Sequence, residues 1–304
     1  MKNTVEKIIS QVPLIGKWRS VFLKHSIPGK WGSPIPEWEE VEKEHAKLYN
    51  LNKNLNGIDL NIEEQLKTLT DFKLYTSDFY KSYVQYPSSE SLYTLTNNIY
   101  YRFYDGASLY SFIRHYKPNR IIEIGSGYSS ALMLDVNKNY FNNTIDIILI
   151  EPNPERLLSL VKDRRRISLI QKNIQDIDNS LFESLGENDF LFVDSSHIVK
   201  MGNDVNKIIF EILPLLKKKV FIHFHDVVFP FEYPLSVIKN RYAWNESYFL
   251  HAFLMYNNKI RIALMNSLLA AQQKELFNKT FQATGSLREF DANIEGSIWL
   301  QKVD

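Results

Sequence analysis

Apolar positions over residues 60–117 recur at helical spacing. Ile62, Leu66, Leu69 and Phe72 fall on one face, and so do Leu109, Phe112, Ile113 and Tyr116. Pro118 ends the second of these helices, because a proline cannot continue the i→i−4 ladder. From there short, nearly all-apolar stretches alternate with amphipathic ones. The pattern predicts β1 over 120–124, a helix from 129, β2 over 145–150, a helix over 154–163 and β3 over 167–171. It continues with β4 over 189–193, a helix over 203–216, β5 over 220–225, a long helix over 236–256, and strands over 259–265 and 297–302. Strands alternating with helices in this way imply an α/β fold with a doubly wound, Rossmann-like parallel sheet. No internal repeat or low-complexity tract interrupts it.

The first strand ends in an acid and a glycine turn, Glu123-Ile124-Gly125-Ser126-Gly127-Tyr128. A strand that stops at Gly-x-Gly ahead of a helix lets the backbone approach a ligand, and the helix N-terminus then presents unbonded N–H groups. By itself the turn fits either a dinucleotide or S-adenosylmethionine. The third glycine of the dinucleotide fingerprint is missing. Glu151 stands at the tip of β2, where a carboxylate can accept from both hydroxyls of a ribose.

Ligands of open α/β sheets lie beyond the carboxyl ends of the strands, and every such end here is polar. Asn173, Gln175 and Asp176 follow β3 and suit an adenine amino group. β4 runs into Asp194-Ser195-Ser196-His197, and β5 into His223-Phe224-His225-Asp226. Alternation puts His223 and His225 on one face of β5. Asp194 from one tip and His225 with Asp226 from its neighbour can converge on one divalent cation, with oxygen and imidazole donors suited to Mg²⁺, Mn²⁺ or a transition metal.

The acid-x-Gly-x-Gly turn followed by an acid-tipped β2 resembles the class I S-adenosylmethionine-dependent methyltransferases. The two late strands match the ending of that fold, in which a seventh strand inserts antiparallel beside the fifth. The resemblance covers roughly residues 90–302 and is strongest in DSSH and HFHD. It implies a seven-stranded sheet and a cofactor site drawn from Glu123, Gly125, Ser126, Gly127, Tyr128, Glu151, Gln175, Asp176 and Asp194. The layout also looks like the metal-dependent O-methyltransferases found among bacterial polysaccharide and secondary-metabolite genes. That likeness implies a cation held by Asp194, His225 and Asp226, although the histidine departs from the acid usual there. Catalytic roles then fall to His197, Asp194 and Asp226. His197 is a candidate general base, because an imidazole can take a hydroxyl proton near neutral pH; capping a helix or orienting Asp194 is the alternative. Tyr233, Trp244 and Glu246 lie where an acceptor would bind, their rings suited to stacking on a sugar and the acid to accepting from its hydroxyls. The expected acceptor is a sugar hydroxyl of a glycan or glycosylated metabolite. A hydroxylase-like oxidoreductase on the same scaffold and a non-catalytic cofactor-binding subunit of a glycan-assembly complex are the alternatives.

Composition narrows the class rather than the chemistry. The chain has 304 residues, 44% hydrophobic and 23% charged, with a net charge of +1, so no global field steers it to nucleic acid. It has no cysteine, which excludes disulfides and zinc–thiolate sites. The first residues are too polar for a secretory signal, and no uncharged apolar run approaches the about 18 residues of a membrane span, so a cytoplasmic enzyme is expected. Within 1–36, Lys2, Lys7, Lys17, Arg19, Lys24 and Lys30 face Glu6 alone. This basic, apolar arm suits a packing extension or homo-oligomer contact, or docking on a membrane surface or glycan-assembly partner. The expected division is an arm and helical extension over 1–90 and a methyltransferase domain over 91–304.

Overall fold

A computed structural model describes residues 28–29, 33–281 and 296–304. The arm's Lys2, Lys7, Lys17, Arg19, Lys24 and Lys30 lie outside the described residues. By internal contacts the chain divides into two compact units, one of residues up to 50 with Tyr233–Ala243, the other of Leu51–Glu232 with Trp244–Asp304.

The larger unit is built on one sheet of seven strands in the order β3-β2-β1-β4-β5-β7-β6. β1 (Arg120–Ile124), β2 (Asp146–Ile150), β3 (Ser168–Ile170), β4 (Phe190–Val193) and β5 (Phe221–His225) are parallel. β7 (Ser297–Lys302) runs antiparallel between β5 and β6 (Ile260–Met265). This is the doubly wound sheet expected from the pattern, with the seven strands and the antiparallel last insertion that the resemblance implied.

The strands are apolar on both faces because both are covered. Ile121, Phe190, Phe192, Phe221 and Trp299 join a core with α1 (Ile62–Tyr80), α2 (Phe103–Tyr116) and α3 (Tyr128–Phe141). Their sequence neighbours Ile122, Leu191, Val193, Ile222 and Leu300 join a second core with the helical stretch from Asp204 to Leu215. The edge strand β6 is blunted from α1 and its cap: Asn61 Nδ2 donates to Ile262 O at 2.8 Å, and Met265 N–H donates to Gln65 Oε1 at 2.8 Å.

Two helices differ from expectation. The one expected over 154–163 is α4, Glu155–Leu160, and gives way to extended backbone at Val161. The long helix expected over 236–256 is two, Leu235–Lys239 and α5 (Glu246–Leu254). The N–H groups of Asn245 and Glu246 both donate to His197 O, at 3.0 and 3.1 Å, so α5 starts on the loop after β4 instead of continuing a preceding turn. Within the smaller unit Lys239 reaches Glu42 Oε1 at 3.4 Å and lies 4.9 Å from the Trp38 ring.

Candidate active site

The β1 turn is closed by its own side chains. Gly125 has φ +83°, and a Cβ there would lie 1.8 Å from the backbone oxygen of Asp194, so glycine alone lets β1 and β4 end this close together. Gly127 N–H donates to Ser130 Oγ at 2.9 Å, and the Ser130 hydroxyl donates to Glu123. Ser129 Oγ donates to the other Glu123 oxygen at 2.6 Å. Glu123 is fully buried, and that burial pushes its carboxyl up to about 8 against the pull of the two serines. Glu123 therefore holds the turn from beneath. Glu151 binds the turn from the β2 side, accepting from Ser126 N–H at 3.1 Å and Asn153 N–H at 2.8 Å.

A cleft of about 270 Å³ opens above these tips. Gly125, Glu151, Gln175 and Asp194 line it, as the sequence suggested. Ser195 and Ser196 of the polar β4 tip line it too, as do Asn203 and Asp204, which sequence reasoning did not single out. Ser196 donates to Asp204 through its N–H (2.8 Å) and its hydroxyl (2.6 Å), which folds the loop after β4 against the next helix. An acid at the start of that helix was the available signal. Gln175 Nε2 donates to Gly202 O at 2.9 Å. Asp176 is exposed and stands outside the cleft lining. Tyr128 also lies outside the lining, its ring stacked 6.2 Å from Tyr100, over which Arg156 sits at 3.7 Å.

Asp194 belongs both to this cleft and to a second group of charged side chains. One oxygen of Asp194, His197 Nε2 and one oxygen of Asp226 lie within 4.8 Å of one another. His197 Nε2 is 3.6 Å from Asp194 Oδ1 and 3.4 Å from Asp226 Oδ2, while its Nδ1 is 2.9 Å from Glu246 Oε2. His197 and Asp226 both hold left-handed backbone, φ +59° and +57°, which costs free energy at a non-glycine residue and turns their side chains toward each other's strand tip. His225 approaches the same two carboxylates from below: its Nδ1 is 3.4 Å from Asp194 Oδ1 and 3.7 Å from Asp226 Oδ2, and its Nε2 faces Asp105 Oδ2 at 3.6 Å.

The electrostatics follow from this crowding. Burial alone would lower the His197 pKa, yet the Glu246 carboxylate, then Asp226 and Asp194, raise it to about 9. Burial would raise Asp194, yet His225 and then His197 draw it down to about 2. Burial would lower His225, and Asp226, Asp194 and Asp105 instead hold it well above the ordinary histidine range. His223, stacked on Phe192 at 3.8 Å and fully buried, is pushed below that range by burial and by the His225 charge.

The three residues expected to meet an acceptor have different surroundings. Glu246 is 1% exposed and its oxygens go to His197 and, at 3.4 Å, to Ser195 Oγ, so it faces the histidine rather than open space. Trp244 is half-buried with its ring 4.5 Å from that of His197. Tyr233 is 3% exposed and belongs to the smaller unit.

Residues 122–227, from β1 through the β5 tip, match a protein family described as a methyltransferase domain. An uncharacterised protein of Archaeoglobus fulgidus is 40% identical over 166 residues, covering 53% of this chain and 74% of that protein. Among solved structures, SAH-bound methyltransferase PaMTH1 of Podospora anserina is 18% identical, with 89% of this chain and 98% of that chain covered and a TM-score of 0.41. The O-methyltransferase TomG of Streptomyces achromogenes, solved with SAM and involved in tomaymycin synthesis, is 12% identical, covers 88% and 97%, and has a TM-score of 0.42. These two likenesses are too distant to carry a function. Among the described residues no helix is long and apolar enough to cross a membrane.

Proposed function

We propose that the chain is an S-adenosylmethionine-dependent methyltransferase, a reading supported by the methyltransferase-domain match over residues 122–227, and that it transfers the methyl group to a hydroxyl oxygen held at the tips of β4 and β5. The observation that carries this reading is Asp194, which lines the cleft and also meets His197 and Asp226. The cleft's donors fit the cofactor: Glu151 offers a carboxylate to a ribose, and Asn173 and Gln175 offer amide groups to an adenine edge. Neither the hydroxylase-like alternative nor a non-catalytic subunit is favoured by the family that residues 122–227 match.

The sulfonium supplies an electrophilic methyl, and a divalent cation, when bound, lowers the pKa of the acceptor hydroxyl. Asp194, His197 and Asp226 are the residues that would hold that cation, and three donors this close together fit one. The chain's own part is positioning: the Gly125 turn fixes the sulfonium end and the β4 and β5 tips fix the hydroxyl, so the oxygen attacks the methyl as the carbon–sulfur bond breaks. The half-buried Trp244 ring beside His197 suits the apolar face of a sugar, which makes a glycan or glycosylated metabolite the acceptor class.

One observation favours a second, cation-free reading. Glu246 on Nδ1 fixes His197 so that Nε2 faces the acceptor side, the arrangement of a general base with its orienting acid. His197 then accepts the hydroxyl proton at Nε2, in the fraction of molecules where that nitrogen is unprotonated.

The test is methyl-labelled S-adenosylmethionine offered with a panel of free and nucleotide-linked sugars, with and without EDTA. The expected product is a labelled methyl ether formed with stoichiometric S-adenosylhomocysteine. Label on nitrogen or carbon with none on oxygen sinks the proposal. Undiminished transfer in EDTA selects the histidine-base reading over the cation.

A further inference from the structure

Tyr256 is 82% exposed, and its backbone is left-handed at φ +56°. It stands just past Met255, the C-cap of α5, where a left-handed residue is usually glycine. A tyrosine there carries a cost in backbone strain, yet its ring is held in place. A Cβ added at Gly57 would lie 2.9 Å from Tyr256 Cζ and 3.1 Å from both Cε atoms. Those near-equal distances put the ring face-on over Gly57, with its other face open to solvent. Tyr256 N–H donates to Gly57 O at 2.7 Å and fixes the pair. Gly57 itself has φ +79°, so that position takes glycine for its backbone as well as for the ring above it.

The ring borders a cleft of about 390 Å³, larger than the one at the strand tips and within the roughly 300–1,000 Å³ of small-molecule sites. It lies at the other end of the sheet from those tips. Ile260 in its lining pairs with Lys302 at one end of β7, and His225 pairs with Ser297 at the opposite end. At the rise of a strand the two ends are about 17 Å apart. Ile58, Ile260 and Ile262 make part of the lining apolar, and Asp59, Asn61 and Arg261 make part of it polar.

Each of these polar side chains is held by one group and keeps another. Asp59 Oδ1 accepts from Asn61 N–H at 2.8 Å, and Asn61 Nδ2 donates to Ile262 O at 2.8 Å. Arg261 Nε and Nη2 donate to Gln301 Oε1 at 3.1 and 2.6 Å. Among the described residues this leaves Asp59 Oδ2 and Asn61 Oδ1 as acceptors and Arg261 Nη1 as a donor. Asp59 and Arg261 are the only charged residues among the described lining, and their charges cancel.

We infer that this cleft binds a neutral sugar, whose ring lies on Tyr256 and whose hydroxyls meet Asp59, Asn61 and Arg261. A pyranose has an apolar C–H face and a rim of hydroxyls that both donate and accept. A fixed aromatic face answers the first, and planar acceptors beside a planar donor answer the second. A phosphate would call for net positive charge, which this lining lacks. The inference goes beyond the methyl-transfer reading and does not need it, because the cleft is at the far end of the sheet from His197.

The test is saturation-transfer NMR on the full chain with maltose, lactose and N,N′-diacetylchitobiose as probes. At least one should receive magnetisation, strongest on its ring protons. Tyr256→Asn removes the ring and keeps a residue that tolerates left-handed backbone, so affinity for that sugar should fall about tenfold or more. Tyr256→Phe keeps the stack and should stay within about threefold, while Arg261→Gln should weaken binding by roughly three- to tenfold. Trp244→Ala, at the proposed acceptor position, should leave the transfer in place. No transfer to any probe, or equal affinity in Tyr256→Asn and wild type, overturns the inference and leaves the methyl-transfer reading standing. Transfer lost in Trp244→Ala and kept in Tyr256→Asn assigns the sugar to the strand tips and overturns it as well. Displacement of the sugar by an equal concentration of inorganic phosphate marks an anion site at Arg261, which also overturns it.

Discussion

The tips of β1 and β2 and the tips of β4 and β5 carry similar acids and treat them in opposite ways. At the first pair the carboxylates are already bonded to the chain: Glu123 accepts from Ser129 and Ser130, and Glu151, while still lining the cleft, accepts from the N–H groups of Ser126 and Asn153. At the second pair each of His197 and His225 stands 3.4–3.7 Å from both Asp194 and Asp226, too far for good hydrogen bonds and close enough for strong charge coupling. A satisfied polar group rigidifies a cradle, whereas an unsatisfied buried one carries a cost that a ligand can relieve. The first region is thus built to hold and the second to react.

The largest effect should come from breaking the cradle. Gly125→Ala places a Cβ 1.8 Å from the Asp194 carbonyl oxygen at a left-handed φ, and both neighbours are strand ends that cannot yield separately. Calorimetry should find no S-adenosylhomocysteine binding, and the melting temperature should fall. Binding within tenfold of wild type would show that the two tips move independently and that the contrast between the regions is overdrawn.

Next is His197→Ala in the reacting region. Transfer to an accepted sugar should fall by roughly 10²–10⁴-fold while cofactor affinity stays within a few-fold. The same residue governs alkaline stability. Its folded pKa of about 9 lies above the ordinary 6.5, so its contribution is complete below 6.5 and is lost as pH rises through about 9. Measured in chelator, that loss should be on the order of 3 kcal/mol. The His197→Gln variant should lose the His197 share and keep those of His225, which its neighbouring carboxylates also hold above the ordinary histidine range, and of Glu123, whose raised carboxyl favours folding at low pH and loses that advantage between 4.5 and about 8. Equal pH slopes in the two proteins would mean that the surrounding carboxylates do not hold the proton.

Glu151→Ala tests the cradle more gently. It removes the acceptor for two backbone N–H groups and the carboxylate offered to the ribose, so S-adenosylhomocysteine should bind at least tenfold more weakly, about 1.4 kcal/mol. NAD should give wild-type protein no thermal shift, in contrast to S-adenosylhomocysteine. A shift with NAD alone would reverse the choice of cofactor.

The strands were legible because short apolar runs with polar ends have few other readings: β1 and β7 fall over Arg120–Ile124 and Ser297–Lys302, where the pattern put them. Gly125, Glu151, Gln175 and Asp194 were legible as cleft residues for the same reason, since strand-end position follows from local pattern. What local pattern could not carry were pairings across long sequence separations. Glu246 reads as a helix-start acid, and only the fold brings it to His197. The break near residue 245 depends on the His197 carbonyl taking two N–H groups. Asp105 lies in the first turn of α2, and its partners His225, Gly296 and Ser297 are supplied by β5 and β7.

The smallest expected effect concerns the far wall of the cleft. Sequence grouped Gln175 with Asp176 as adenine contacts, yet the turn Ile174–Asp176 points them apart: Gln175 lines the cleft and bonds Gly202 O, while Asp176 is exposed outside the lining. An exposed carboxylate with water around it contributes little to a ligand it does not touch. Asp176→Ala should therefore leave S-adenosylhomocysteine affinity within about twofold, under 0.5 kcal/mol. Gln175→Ala should cost more, since it removes both an amide on the cleft wall and the 2.9 Å bond that ties the β3 turn to the loop before the next helix. Calorimetry on the two variants settles the order. An Asp176→Ala loss larger than that of Gln175→Ala would mean that the turn rotates when the cofactor enters, so that this side of the cradle is shaped by its ligand rather than ahead of it.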